Sequence, residues 1–173
     1  AQKEKVDLFF LGGAQVDKKG NTILQVIGDY HKPKVRLPGG AGTGTLYYTV
    51  PRVILFKTDH TKNSFVEKVD FITGAAESPD NVFRRGGPTI CITPLAVLHF
   101  SRDKSQFALK SVHPGVTVEE IIKNTGFTLD IPEHVPHTPE PEQEELQILR
   151  TVIKEKLKTA YPKFVQSAFG GSA

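Results

Sequence analysis

Four glycines fall within six residues of the segment Leu37-Pro38-Gly39-Gly40-Ala41-Gly42-Thr43-Gly44-Thr45, which lies between the basic stretch Lys32 to Arg36 and the apolar Leu46 to Tyr48. Such a run either turns the backbone sharply or clears side chains away so that amide N–H groups can approach an anion. If the chain from Leu46 is helical, the loop delivers those amides at a helix N-terminus, where they can hold an oxyanion or a phosphate. The Lys-Ser/Thr ending of a nucleotide phosphate loop and the G-x-G-x-x-G spacing of a dinucleotide fold are both absent. Composition by itself leaves plain turn and anion site open.

Just before this loop, Gly28-Asp29-Tyr30-His31-Lys32-Pro33-Lys34-Val35-Arg36 gathers an acid, an aromatic ring, a histidine and three cations. That can line a binding site, although a solvated charge run is the commoner outcome. Gln15 to Asn21, with Asp17 and Gly20, reads as a tight connection between two strands. His134 and His137 lie three apart, but Val135-Pro136 intervenes and no further ligand is near, so they read as connector residues and not as a zinc site. His113 precedes Pro114-Gly115 and reads as capping a turn. Cys91, inside the apolar run Thr89 to Thr93, reads as inert packing. No catalytic triad can be argued from spacing, because the fold and not the local sequence joins its members.

The elements that must position these residues are mostly strands. Val6 to Leu11 and Val53 to Phe56 are short apolar runs of the kind found in parallel sheets buried on both faces. Thr22 to Ile27, Val66 to Thr73, Thr89 to Thr93, Ala96 to Phe100 and Phe107 to Val112 also read as strands, the last two as an antiparallel hairpin around the polar Ser101 to Ser105. Thr117 with Glu120 has capping-box spacing, which predicts a helix over Val118 to Thr125 closed by Gly126. Four prolines make 132–141 an extended connector. Beyond it Leu146, Leu149, Ile153 and Leu157 recur at helical spacing, with Pro162 expected to end that helix and Gly170 to Ala173 to form a tail. The reading is one α/β domain over 1–173, an open, mostly parallel sheet flanked by helices.

At 173 residues the chain suits a single domain, and a net charge of +3 is too small and dispersed to favour nucleic acid or an anionic membrane. One cysteine forms no intrachain disulfide and the apolar runs are far too short to span a bilayer, which fits a reducing, cytoplasmic setting.

Three blocks together are more specific than any of these signals: Gly13-Ala14-Gln15-Val16-Asp17-x-x-Gly20-Asn21, then Gly28 to Gly39, then Ser111-Val112-His113-Pro114-Gly115-Val116-Thr117. The chain resembles the B (β) subunit of class I CoA-transferases of the glutaconate type, over nearly its whole length. The resemblance implies an A subunit and a B subunit that share an active site in an α2β2 or larger hetero-oligomer. It also implies transfer of CoA between an acyl-CoA and a small dicarboxylic acid through a glutamyl-CoA intermediate. CoA enters as a thioester substrate, and no bound cofactor is implied. Gly39, Gly40 and Gly42 match the family's oxyanion loop, and Tyr30, His31, Arg36, Ala41 and Thr43 are the expected substrate-lining residues. The family loop commonly reads Gly-x-Gly-Gly, whereas this chain has Gly39-Gly40-Ala41-Gly42. The family's nucleophilic glutamate lies upstream of the first block, and Glu4 carries none of its motif. The expectation is therefore a chain lacking its N-terminal part, with an unpaired sheet edge and uncovered apolar faces. Decarboxylation or hydrolysis of CoA esters on the same fold, and a non-catalytic role completing a partner's site, are the alternatives.

Overall fold

The computed structural model describes residues 5–170, so Glu4 and the tail beyond Gly170 lie outside the described residues. The chain divides into two compact units between Thr138 and Pro139, within the proline-rich stretch. In chain order the first unit contains β1 (Leu8–Leu11), β2 (Gln15–Asp17), β3 (Thr22–Ile23), β4 (Val26–Gly28), β5 (Pro33–Arg36), α1 (Thr43–Thr49) and β6 (Arg52–Phe56). It continues with β7 (Phe65–Val66), β8 (Pro88–Ile92), β9 (Ala96–Ser101), β10 (Gln106–Val112) and α2 (Val118–Asn124).

The main sheet has the order β1-β6-β8-β9-β10. The apolar runs that begin it pair in parallel, Phe9 with Val53 and Leu11 with Leu55, and β6 pairs in parallel with β8. The other half is antiparallel, with β9 and β10 forming the hairpin expected of Ala96 to Val112. The fold is thus α/β on a mixed sheet. Val53, Leu55, Cys91, Leu98, Phe107 and Leu109 are buried and pack in one cluster with Tyr47 of α1 and Ile121 of α2. Each such side chain contributes about 1.5–3 kcal/mol when withdrawn from water. The opposite face of β1, β6 and β8 is open among the described residues. Leu8, Phe10, Phe56 and Ile92 stand exposed on it, and among the described residues the outer edge of β1 forms no ladder.

Several expected elements are remodelled by side chains. Of the run Val66 to Thr73 only Val66, the last residue of β7, joins a sheet. Further along, the Val69 amide donates to the Asp17 carboxylate and the Asp70 amide to Gln15 Oε1, so side-chain acceptors replace a ladder. The run Thr22 to Ile27 is cut at Leu24-Gln25, whose carbonyls accept from Gly39 and Leu37. The capping expected at Thr117 is present, with its hydroxyl accepting from the Glu120 amide at 3.2 Å. Replacing Thr117 by alanine is expected to cost about 1 kcal/mol in urea denaturation. Gly126 serves a different end from the expected left-handed cap. Its amide donates to the Phe65 carbonyl, and a Cβ there would lie 2.3 Å from that oxygen, so only glycine permits the approach.

The second unit is helical: α3 (Gln143–Ile148), a π-turn (Leu149–Ile153), α4 (Lys154–Ala160) and α5 (Pro162–Phe169). Glu145 reaches back to the Glu142 amide at 2.9 Å and starts the first helix. Helix α4 ends before Pro162 as expected, but Pro162 then opens a further helix from the first-turn position that suits its missing N–H.

Candidate active site

The β4–β5 hairpin and α1 are joined by the glycine segment, and the chain between them is pinned from below. The Leu37 amide donates to the Gln25 carbonyl and the Gly39 amide to the Leu24 carbonyl, both at 2.9 Å. Gly39 then takes φ +105° and Ala41 φ +41°, so two left-handed residues fold the loop over, the alanine at some cost in strain. The Thr43 amide closes the turn on the Gly40 carbonyl at 2.6 Å.

Gly42 is the N-cap of α1, and having no side chain it leaves the amides that a serine or aspartate would cap uncovered. The N–H groups of Gly44 and Thr45 are left free in this way, and those of Gly40, Ala41 and Gly42 likewise reach no protein acceptor among the described residues. Ala41, Gly42, Gly44 and Thr45 are also exposed. Unpartnered amides grouped at one loop are the kind of donor set that can stabilise a developing oxyanion.

The substrate-lining residues expected from the sequence do not all behave alike. Tyr30, His31 and Arg36 lie together on the β4–β5 hairpin. Arg36 Nη2 donates to the Tyr30 carbonyl at 2.8 Å, its guanidinium sits 5.0 Å from the Tyr30 ring centre, and His31 meets that ring edge-on at 5.5 Å. Asp29 shapes the hairpin turn by accepting from the His31 and Lys32 amides, both at 2.8 Å. Ala41 is on the exposed loop, whereas the Thr43 side chain is buried beneath it and is not offered to solvent.

Beneath the loop lies Thr73, which the sequence reading missed. Its hydroxyl accepts from the Leu24 amide at 2.9 Å and donates to Gln25 Oε1 at 3.2 Å, while its methyl group occupies the space a Cβ on Gly40 would need, at 2.4 Å. Replacing Gly40 by alanine is therefore expected to destabilise the fold by about 1–2 kcal/mol. Adding Thr73→Ser, which removes the methyl and keeps the hydroxyl, should restore most of that in thermal melts.

From Thr73 the chain runs as a strap along α1 to Gly87. Arg84 fastens it with all five guanidinium donors. Nη1 reaches the Tyr47 carbonyl at 3.3 Å and the Gly86 carbonyl at 3.0 Å, Nε reaches Ser78 Oγ at 3.0 Å, and Nη2 reaches the Ala75 and Glu77 carbonyls. Between strap and helix opens a cleft of about 400 Å³, with Gly44 and Tyr48 on the helix side and Ile72, Ser78, Val82 and Arg84 on the other. The glycine segment therefore borders a cavity. Arg84 stood in the sequence beside Arg85-Gly86-Gly87, a loop signal that says nothing of what its donors reach.

The other chemistry-bearing side chains serve structure. Cys91 is fully buried and its thiol is pushed up to about 12 by burial, so it is unreactive. The turn expected at His113 is present, its carbonyl accepting from the Val116 amide at 3.1 Å, while its ring joins Thr138 Oγ1 and the Thr93 carbonyl, both at 2.9 Å. The Lys57 ammonium, almost wholly buried, holds the Gly13 and Ala14 carbonyls at 2.6 and 3.0 Å and pairs with Asp59 at 3.4 Å. His134 and His137 join no metal-binding group among the described residues, and no helix there is long and apolar enough to cross a membrane.

Comparison with known proteins bears on this site. The family described as Coenzyme A transferase matches residues 1–124. The chain is 40% identical over 158 residues to the B subunit of 3-oxoadipate CoA-transferase from Pseudomonas knackmussii, covering 87% of this chain and 60% of that one. It is 33% identical over 129 residues to the B subunit of glutaconate CoA-transferase from Acidaminococcus fermentans, covering 70% and 48%. The crystal structure of glutaconate coenzyme A-transferase from the same organism matches with a TM-score of 0.74 at 28% identity, over 83% of this chain and 57% of that chain. A crystal structure of the decarboxylase AibA/AibB also matches with a TM-score of 0.74 at 28% identity, over 86% and 57%. The chain thus spans between 48% and 60% of the lengths of these relatives.

Proposed function

Because this chain belongs to the coenzyme A transferase family, we propose that it is the B-type subunit of an enzyme that moves CoA between an acyl-CoA and a small dicarboxylic acid, working with an A-type subunit in the cytoplasm. The observation that carries this reading is the set of unpartnered amides at Gly40, Ala41, Gly42, Gly44 and Thr45. In the transfer reaction a glutamate carboxylate adds to the thioester carbonyl, and the negative charge that develops on its oxygen is held by these donors. The C–S bond then breaks to give an acyl-glutamyl anhydride and CoA thiolate. The thiolate attacks the glutamyl carbonyl, the free acid leaves, and the glutamyl-CoA thioester awaits the second acid. The glutamate is assigned to no residue of this chain.

On the hairpin, Lys32, Lys34 and Arg36 offer cations to the distal carboxylate of such an acid, and Tyr30 and His31 shape the approach. The open face bearing Leu8, Phe10, Phe56 and Ile92, with the free β1 edge, supports completion of the sheet by further polypeptide. The test is exchange of labelled CoA between two acids by the complex of this chain with its A-type partner. Exchange that requires both acids is expected. Hydrolysis or decarboxylation of the acyl-CoA with no acceptor acid would overturn the transferase reading, and the match to AibA/AibB makes decarboxylation the outcome to look for.

A further inference from the structure

The cleft between α1 and the strap contains one cation, Arg84, and all five of its donors are committed to Tyr47, Ala75, Glu77, Ser78 and Gly86. With nothing left for an anion and an exposed apolar rim of Tyr48, Ile72 and Val82, the cleft suits an uncharged chain. It still offers hydrogen bonds to such a chain: the Gly44 amide is unpartnered, and the Ser78 hydroxyl, which accepts from Arg84, has its own proton to donate.

A second recess, of about 910 Å³, adjoins the cleft: Ile72 and Ala75 line both, so these two strap residues form the wall between them. That recess carries Lys18, Lys19, Lys68 and Lys104. Lys104 pairs with Asp130 at 2.6 Å, but Lys18, Lys19 and Lys68 have no ion-pair partner among the described residues. Of the acids in the recess, Asp17 spends its carboxylate on the Asn21 side chain and on the Asn21 and Val69 amides, and only Glu67 and Glu77 oppose the three uncommitted lysines. Amides that suit an oxyanion, an uncharged cleft and a group of ammoniums thus lie side by side, Gly44 bordering the first two and Ile72 and Ala75 the last two.

A CoA thioester has that order of chemistry from its carbonyl outward: an uncharged arm containing two amides, then a polyphosphate nucleotide. Resting on the reading above, we propose that the uncharged arm of CoA lies in the cleft between α1 and the strap and that its phosphates are met by Lys18, Lys19 and Lys68. The acyl group then extends to the opposite side, toward the hairpin. Phe71, Ile72 and Thr73 tie hairpin, cleft and loop together within three residues, since Phe71 stacks on Tyr30 at 5.2 Å, Ile72 walls the cleft and Thr73 packs where a Cβ on Gly40 would lie.

The test compares two thioesters of one acyl group, the acyl-CoA and the acyl-pantetheine that lacks the phosphorylated nucleotide, with the complex of this chain and its A-type partner. In the variant Lys18→Gln/Lys19→Gln/Lys68→Gln, the ratio of kcat/KM for acyl-CoA to that for acyl-pantetheine should fall roughly tenfold, and the salt dependence of KM for acyl-CoA should flatten. Val82→Trp, which fills the cleft, should raise KM for both thioesters by roughly tenfold. Thermal melts establish that each variant complex is folded. An unchanged ratio in the lysine variant overturns the phosphate assignment, and an unchanged KM for acyl-pantetheine in Val82→Trp overturns the assignment of the arm. A wild-type complex inert toward both thioesters brings down the CoA-transfer reading itself, and this inference with it, which separates that failure from the other two.

Discussion

Replacing Gly42 by leucine is expected to leave the fold standing while lowering kcat/KM for CoA transfer by about 10² to 10³, because a bulky side chain that blocks the amides should cost as much as the loss of one oxyanion donor. The structure separates the two consequences. Gly42 has φ −83°, which any residue adopts, and its Cβ would sit 3.6 Å from Leu46 Cδ1, an ordinary contact. No side-chain cap is lost, because glycine provides none. The change in stability should therefore stay within about 0.5 kcal/mol, as for an exposed position without special geometry. The leucine side chain, however, is introduced on the exposed loop next to the free amides of Ala41 and Gly44, where its bulk is expected to keep a carbonyl oxygen from contact. A complex that folds normally, melts as the wild type does and still turns over at the wild-type rate would show that these amides face no reacting oxygen. It would favour the alternative in which the chain only completes a partner's site.

What was legible in the sequence was what neighbours along the chain decide. The compact run Val6 to Leu11 pairs, over Leu8–Leu11, in parallel with Val53 to Phe56, and the polar interruption at Ser101 to Ser105 marks the hairpin, because apolar patterning locates both. The glycine segment could be singled out for the same local reason. Thr73 and Arg84 could not, since their significance depends on partners brought in by the fold: Gly40 for the threonine methyl, and the carbonyls of Tyr47 and Gly86 for the guanidinium. Gly126 shows how a correct residue can carry a wrong reason, for its spacing fits a helix cap while its actual constraint is the Phe65 carbonyl. The strand expected through Thr73 failed because Asp17 and Gln15, some 50 residues away, offer side-chain acceptors to its amides. Propensity had no view of them.

Stability should fall on acidification from about pH 6.5 toward pH 4, and His60 is the reason. Its ring is almost wholly buried, stacked on Phe65 at 4.2 Å, with Nδ1 2.9 Å from Thr93 Oγ1 and Nε2 3.0 Å from Thr125 Oγ1. Burial lowers its pKa to about 4, and neighbouring Asp59 only partly offsets this. In the unfolded chain the same ring takes up a proton near pH 6.5. Between those two values the unfolded state binds the extra proton, so the neutral-His60 contribution is fully present above about pH 6.5 and is lost as pH falls toward 4. The loss amounts to about 3 kcal/mol at its limit. Asp59 adds to it with the same sign but at lower pH: burial raises its carboxyl, yet the Ser64 hydrogen bond and the Lys57 charge outweigh that and hold it below the usual carboxylate range. The two are separable, because the Asp59 contribution is lost only below the ordinary carboxylate pKa and that of His60 above it. Denaturant midpoints at pH 7, 5.5 and 4.5 should therefore show a drop already between the first two for the wild type, and His60→Gln should abolish most of that drop while lowering stability at pH 7. A wild-type midpoint that is flat from pH 7 to 5.5 would mean that His60 is charged or solvated in the folded chain, against the packing of Phe65, Thr93 and Thr125 around it.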